Sequence, residues 1–236
     1  MLTPTADSPI LQLTLDSKGH MRSIYQVAPG LECNCFCPAC GGHLIANNAE
    51  EASPSCGVSI NLTSHFSHHR ALGDCSAASD IMLHRLAIEV LRSTKKLMIP
   101  RLRSGEEILA ERRLIHFDHV EETKTHQVGE GRTIVPAVTL TTTRGRVLFI
   151  EFTYPLHPER AIIQEAGISC LYIDLLDISP LNGREPNMKD MIWLLHECEA
   201  YKTWVYNAAE KRLRKSSLKT SDGRTQMDTR GRHSGK

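Results

Sequence analysis

No stretch of this 236-residue chain stays apolar long enough to cross a membrane as a helix. The longest apolar runs, "VLFIEF" and "MIWLLH", fall far short of the roughly 20 residues such a span needs. The N-terminal "MLTPTADSPI" lacks the basic stretch and apolar core of a secretory signal. The expectation is a cytoplasmic protein with no membrane partner. Charge imbalance is missing too. With 28 Lys and Arg against 27 Asp and Glu, the formal net charge is +1, so total charge announces no nucleic-acid partner.

What the chain does have is cysteine, unevenly placed. Six of its eight cysteines (Cys33, Cys35, Cys37, Cys40, Cys56 and Cys75) fall in the first third. Cys170 and Cys198 lie in patterned apolar segments and read as small core residues. In a reducing compartment such a cluster points to metal rather than to disulfides. An apolar content of 41% and a charged content of 23% are those of an ordinary globular protein.

The cluster has internal order. Cys37-Pro-Ala-Cys40-Gly-Gly sets two thiolates three positions apart, and the glycines allow a tight turn that aims amides at the sulfurs. The second half of the site must come later, and "SHFSHH" offers His65, His68 and His69 with Cys75 close behind. The preferred set is Cys37, Cys40, His68 and Cys75, with His65 as the substitute for His68; Cys33 and Cys35 remain alternatives. Four such ligands make a closed, structural zinc site, because no position is left for substrate. Upstream, "LQLTLDSKGHMRSIYQV" alternates on both sides of the turn "DSKG" and reads as a hairpin. Cys56 sits in a polar segment and receives no role.

Beyond residue 78 the patterning changes. "ASDIMLHRLAIEVLRSTKKL" has an apolar stripe at helical spacing, with Ser79 or Asp80 to cap it and Pro100 to end it. Asp80 and His84, four apart, share a face. After a polar stretch come two strands, "TIVPAVTL" and "RVLFIEFTY", then a helix "HPERAIIQEAG" and a third strand "SCLYIDLLDI". "NMKDMIWLLHECEAYKTWVYNAAEKRLRK" reads as one long amphipathic helix. The expected class is α/β, with three parts: a hairpin and zinc-knuckle module over 1–78, an α/β domain over 79–215, and a basic, disordered tail over 216–236 able to touch phosphates.

On the second strand Glu151 and Thr153 share a face and point the way residue 137 points. Metal-dependent phosphodiester hydrolysis wants carboxylates converging at strand ends around a hard cation. Position 137 is alanine.

The pieces "CNCFCPACGGHLIA", "HFSHH" with Cys75, "SDIMLHRLA", "VPAV", "IEFTYPLHPER" and "LYIDLLDI" resemble, in order, the competence protein CoiA-like nucleases. These are a branch of the PD-(D/E)XK superfamily with an N-terminal zinc knuckle, and the likeness covers about residues 10–180. It implies a restriction-endonuclease-like core of mixed sheet flanked by helices, with DNA as partner. It also implies phosphodiester hydrolysis in intact members, a role in competence or defence against foreign DNA, and partner proteins in such a complex. Asp80, His84, Glu151 and Thr153 carry over as catalytic positions, with magnesium or manganese at Glu151. Ala137 stands where the family has Asp, Ile88 where it has Lys, Tyr154 where it has His, and Arg160 at a downstream Lys. Either alanine replaces an acid of the natural protein, or the chain has diverged into a non-catalytic DNA-binding or adaptor subunit. Both imply a chain impaired in cleavage.

Overall fold

The computed structural model describes residues 11–47, 64–70, 73–129, 131–152, 157–175 and 187–216. It is a mixed α/β protein with several sheets, and the chain forms two compact units. One comprises Met1–Glu89 with Leu175–Met191, the other Val90–Asp174 with Ile192–Lys236.

In the first unit, β1 (Leu13–Asp16) and β2 (Met21–Ser23) form the expected hairpin, followed by a 3-10 turn at Ile24–Gln26. The strands β3 (Gly30–Phe36), β4 (His43–Asn47) and β5 (His65–His68) complete a five-stranded sheet in the order β2-β1-β3-β4-β5. Just before β1, Leu11 bridges Phe66 of β5, and the Phe66 amide donates to the Leu11 carbonyl at 2.7 Å. That bridge rolls the sheet back on itself, which leaves less open edge. Inside lie Leu11, Leu13, Ile24, Leu44, Ala46 and Phe66, all buried. Helix α1 (Ala78–Thr94) follows and belongs to this unit up to Glu89, with Met82, Leu83, Leu86 and Ala87 buried along the expected stripe, which Val90 and Leu91 continue.

Helix α1 stops earlier than the sequence suggests. Lys95 has a φ of 55° and its amide donates to the Leu91 carbonyl at 3.0 Å, a left-handed helix end. The chain then enters β6 (Lys96–Ile99), so Pro100 ends a strand rather than the helix.

The second unit corrects the sequence reading in three places. The polar stretch holds strands: β7 (Leu102–Ser104) pairs β8 (Glu107–Ala110), and β9 (Arg113–His116) pairs β6. Next come β10 (His119–Glu122) and β11 (His126–Val128). "TIVPAVTL" is two strands, β12 (Arg132–Ile134), paired with β11, and β13 (Val138–Thr141), paired with β10. Pro136 sits in the break, where its missing N–H costs no ladder bond. After β14 (Val147–Glu151), α2 (His157–Ala166) and β15 (Ser169–Ile173), all as expected, the long helix proves to be α3 (Met188–His196), then β16 (Lys202–Tyr206), then helical residues 210–216.

The resulting sheet runs β10-β13-β14-β15-β16, with β14 and β15 parallel and every other pair antiparallel. One face packs Phe149, Cys170 and Val205 with Ile163 of α2 and with Val128 and Ile134 of the β11–β12 hairpin. The other face carries Val138, Leu140, Leu148, Ile150, Leu171 and Ile173, also buried. A sheet apolar on both faces explains the unbroken run in "VLFI".

Candidate metal centre and sheet-edge carboxylate

The metal centre is built at the ends of three elements. Leaving β3, the chain turns at Cys37–Gly42: the Cys37 amide donates to the Gly42 carbonyl at 2.8 Å, and the Gly41 amide to the Cys37 carbonyl at 2.9 Å. Gly41 has a φ of 70°, a conformation that favours glycine. The turn aims the Gly42 amide at the Cys40 sulfur, 3.4 Å away. His68 closes β5, in register with Leu44 of β4. Cys75 lies just before α1, its carbonyl accepting from the Ala78 amide at 3.0 Å.

Cys37, Cys40, His68 and Cys75 come together, their ligand atoms all within 4.8 Å of one another. His68 Nε2 is 3.5 Å from Cys40 Sγ and 3.3 Å from Cys75 Sγ. A tetrahedral zinc ion, with bonds of about 2.3 Å to sulfur and 2.0 Å to nitrogen, sets its ligands roughly 3.5–3.8 Å apart. The set fits a structural zinc ion. The thiols also show why a cation suits them. Against burial, which raises it, the Gly42 amide and the neighbouring Cys75, Cys37 and His68 draw Cys40 down to about 6. Burial, with Cys40 and Cys37 alongside, pushes Cys75 up to about 12. One thiolate forms readily and then opposes the next, and a bound dication removes that opposition.

His65 and His68 are three apart on β5, so alternation puts them on opposite faces, and His65 lies outside the group. Cys33 and Cys35 lie outside it too; their thiols donate to the Leu44 and Cys33 carbonyls at 3.4 and 3.2 Å. Cys56 is outside the described residues.

In the second unit, β13 and β14 form a hairpin whose turn is closed by the Gly145 amide on the Thr142 carbonyl at 2.8 Å. Val138 stands opposite Ile150, which brings Ala137 beside Glu151 at the far end. The Ala137 amide donates to Glu151 Oε2 at 3.4 Å. Glu151 pairs with Tyr172 of the parallel strand β15, and Asp174 follows two residues on. Among the described residues Glu151 belongs to no group of three or more His, Cys, Asp or Glu side chains suited to a metal. Thr153, Tyr154 and Asp177 lie outside the described residues.

Asp80 and His84 sit in the first turns of α1, in the first unit. Burial lowers the His84 pKa and the Asp80 charge opposes that shift, as expected for groups sharing a helix face. Ile88, where the resemblance expects lysine, is buried at 7% exposure. Arg160 is exposed on α2.

One polar feature escaped the sequence reading. His126 Nε2 lies 2.9 Å from the hydroxyl of buried Thr139, and its ring sits on Phe149 at 4.6 Å. Its segment reads in the sequence only as part of a polar stretch, although "HQV" alternates like the strand it is.

No protein-family model, no curated protein and no solved structure matches this chain. Among the described residues no helix is long and apolar enough to cross a membrane.

Proposed function

We propose that the second unit is a nuclease core of the CoiA-like, PD-(D/E)XK type that acts on foreign or incoming DNA and has lost one metal-binding carboxylate at position 137. The observation that carries this reading is the 3.4 Å contact between the Ala137 amide and the Glu151 carboxylate. An acid at 137 would start from backbone that already touches the other acid's side chain. Two further features support the reading. The crossover through α2 makes β14 and β15 parallel, and in open α/β sheets the carboxyl ends of such strands are where ligands bind. Glu151 is the last residue of β14.

A magnesium or manganese ion at such a site activates water and offsets charge on the phosphate in the transition state. Glu151 supplies one carboxylate; a hard cation wants several oxygen ligands. The chain as it stands therefore binds DNA and cleaves it weakly or not at all. Zinc at the cysteine cluster is structural in this scheme.

Burial of Ile88 favours a second reading. A position that would serve chemistry as lysine is given over to packing, which suits a naturally degenerate DNA-binding or adaptor subunit. Comparing the chain with Ala137→Asp on linear, circular and single-stranded DNA, with Mg²⁺ and Mn²⁺ tested separately, separates the two. The nuclease reading expects cleavage to rise by roughly 10²-fold or more on restoring the acid, and to vanish again with Glu151→Gln. Absence of metal-dependent cleavage by folded Ala137→Asp protein would refute it and favour the adaptor.

A further inference from the structure

Strand β3 carries two cysteines that the metal centre does not use. Cys33 and Cys35 flank Asn34, whose φ of 49° is left-handed. In an extended strand, residues two apart have Cα atoms roughly 6.6 Å from each other. A disulfide spans about 4.4–6.8 Å, so a straight strand sits at the limit of its reach. A left-handed residue between the two draws them closer, and the register of β3 on β4 shifts just here, between Gly30 and Cys35. The Cys35 thiol already reaches back to the Cys33 carbonyl at 3.2 Å.

The pair is asymmetric. Cys35 is fully buried, whereas half-buried Cys33 lines an open recess together with Lys18, His20 and Arg22. Arg22 is met by Asp16, at 2.8 and 3.0 Å. Asp16 lines the recess too and also meets His20, at 3.4 Å, which leaves Lys18 as the further basic group on the wall that Cys33 shares, a setting for an anionic reagent.

We propose that Cys33 and Cys35 form a redox-active dithiol, with Cys33 the attacking and Cys35 the resolving sulfur, oxidised by an anionic low-molecular-weight disulfide of the glutathione class. The Cys33 thiolate attacks one sulfur of the disulfide; the S–S bond breaks and one glutathione leaves as its thiolate. The Cys35 sulfur then attacks Cys33, the mixed disulfide breaks, and the second glutathione leaves. Two electrons pass from the protein to the reagent, and the two thiol protons end on two glutathione molecules. The inference is independent of the nuclease reading.

The test equilibrates the full, zinc-loaded chain in a series of reduced and oxidised glutathione buffers. Acid quenching, alkylation and fragment-ion mapping by mass spectrometry then locate every disulfide. The expected product has lost two hydrogens, joins Cys33 to Cys35, and leaves Cys37, Cys40 and Cys75 alkylatable once zinc is stripped. Cys35→Ser should stop at a glutathione adduct on Cys33, and Cys33→Ser should leave Cys35 unmodified. Zinc content reports whether each variant is folded, and the unmodified chain decides the matter by itself. Free thiols at both Cys33 and Cys35 across the whole series would overturn the proposal. So would disulfides that appear only with zinc loss and engage Cys37, Cys40 or Cys75.

Discussion

The two units solve the problem of a stable sheet in different ways. In the first, five short strands roll around a small set of buried side chains, closed by the Leu11–Phe66 bridge. Three of the loops and ends around that sheet converge on Cys37, Cys40, His68 and Cys75. In the second, a mixed sheet is apolar on both faces, and Phe149, Ile163, Cys170 and Val205 pack against one another in a buried cluster. Where apolar area is scarce, the four side chains are placed so that a metal ion would supply the cross-links; where it is plentiful, packing suffices. The contrast can be broken one side at a time.

Removing a metal ligand should have the largest effect. Structural zinc in small modules contributes roughly 10–16 kcal/mol, so Cys40→Ala should abolish stoichiometric zinc binding and unfold β3 to β5. Metal analysis and circular dichroism check this, and retained zinc with an unchanged melting curve would contradict it. Truncating the packed core comes next. Phe149 is fully buried, and Phe149→Ala should cost about 3–5 kcal/mol in denaturant unfolding followed at the second unit, with zinc content unchanged.

A smaller effect concerns Lys202, buried at 5% exposure, whose amine donates to the Leu194 and Cys198 carbonyls at the end of α3. Burial lowers its pKa to about 8 from 10.5, against the opposing charges of Cys198 and Glu199. Between those values the unfolded chain holds a proton that the folded chain has released, so stability rises with pH. Relative to Lys202→Met, the unsubstituted chain should gain up to about 3 kcal/mol as pH climbs from about 8 to 10.5, since each tenfold difference in proton affinity is worth about 1.4 kcal/mol. Denaturant unfolding of both proteins across that window measures the gain, and a flat difference would contradict the assignment.

How far the sequence could be read follows the same contrast. The metal set was legible because its signal is chemical: residue types at short spacing; the choice of His68 over the substitute His65 needed strand β5, which puts the two on opposite faces. Helix α2, the hairpin around Gly145 and strand β15 were legible because their periodicity is local. Strand β16 was not. "KTWVY" continues a helical apolar pattern, and what makes it a strand is pairing with β15, from Cys170 opposite Tyr206 to Ile173 opposite Lys202. Its Thr, Trp, Val and Tyr favour a strand, but that local preference is weak beside the apolar spacing that continues from α3, and the pairing partner decides. The strands from β7 to β12 were hidden in the same way, being polar, short and largely paired with one another. The alanine at 137 was plain in the sequence, but its contact with Glu151 required the register of β13 on β14.

The contrast between a metal-held unit and a packed one is tested most directly by chelation followed by hydrogen exchange. The zinc-loaded chain is treated with a strong chelator, and amide protection is compared, segment by segment, before and after. Protection should collapse in β3, β4 and β5 while β13, β14 and β15 keep theirs, and it should return when zinc is restored. Undiminished protection in β3 to β5 after complete zinc removal would mean that the cysteine cluster does not hold the first unit together.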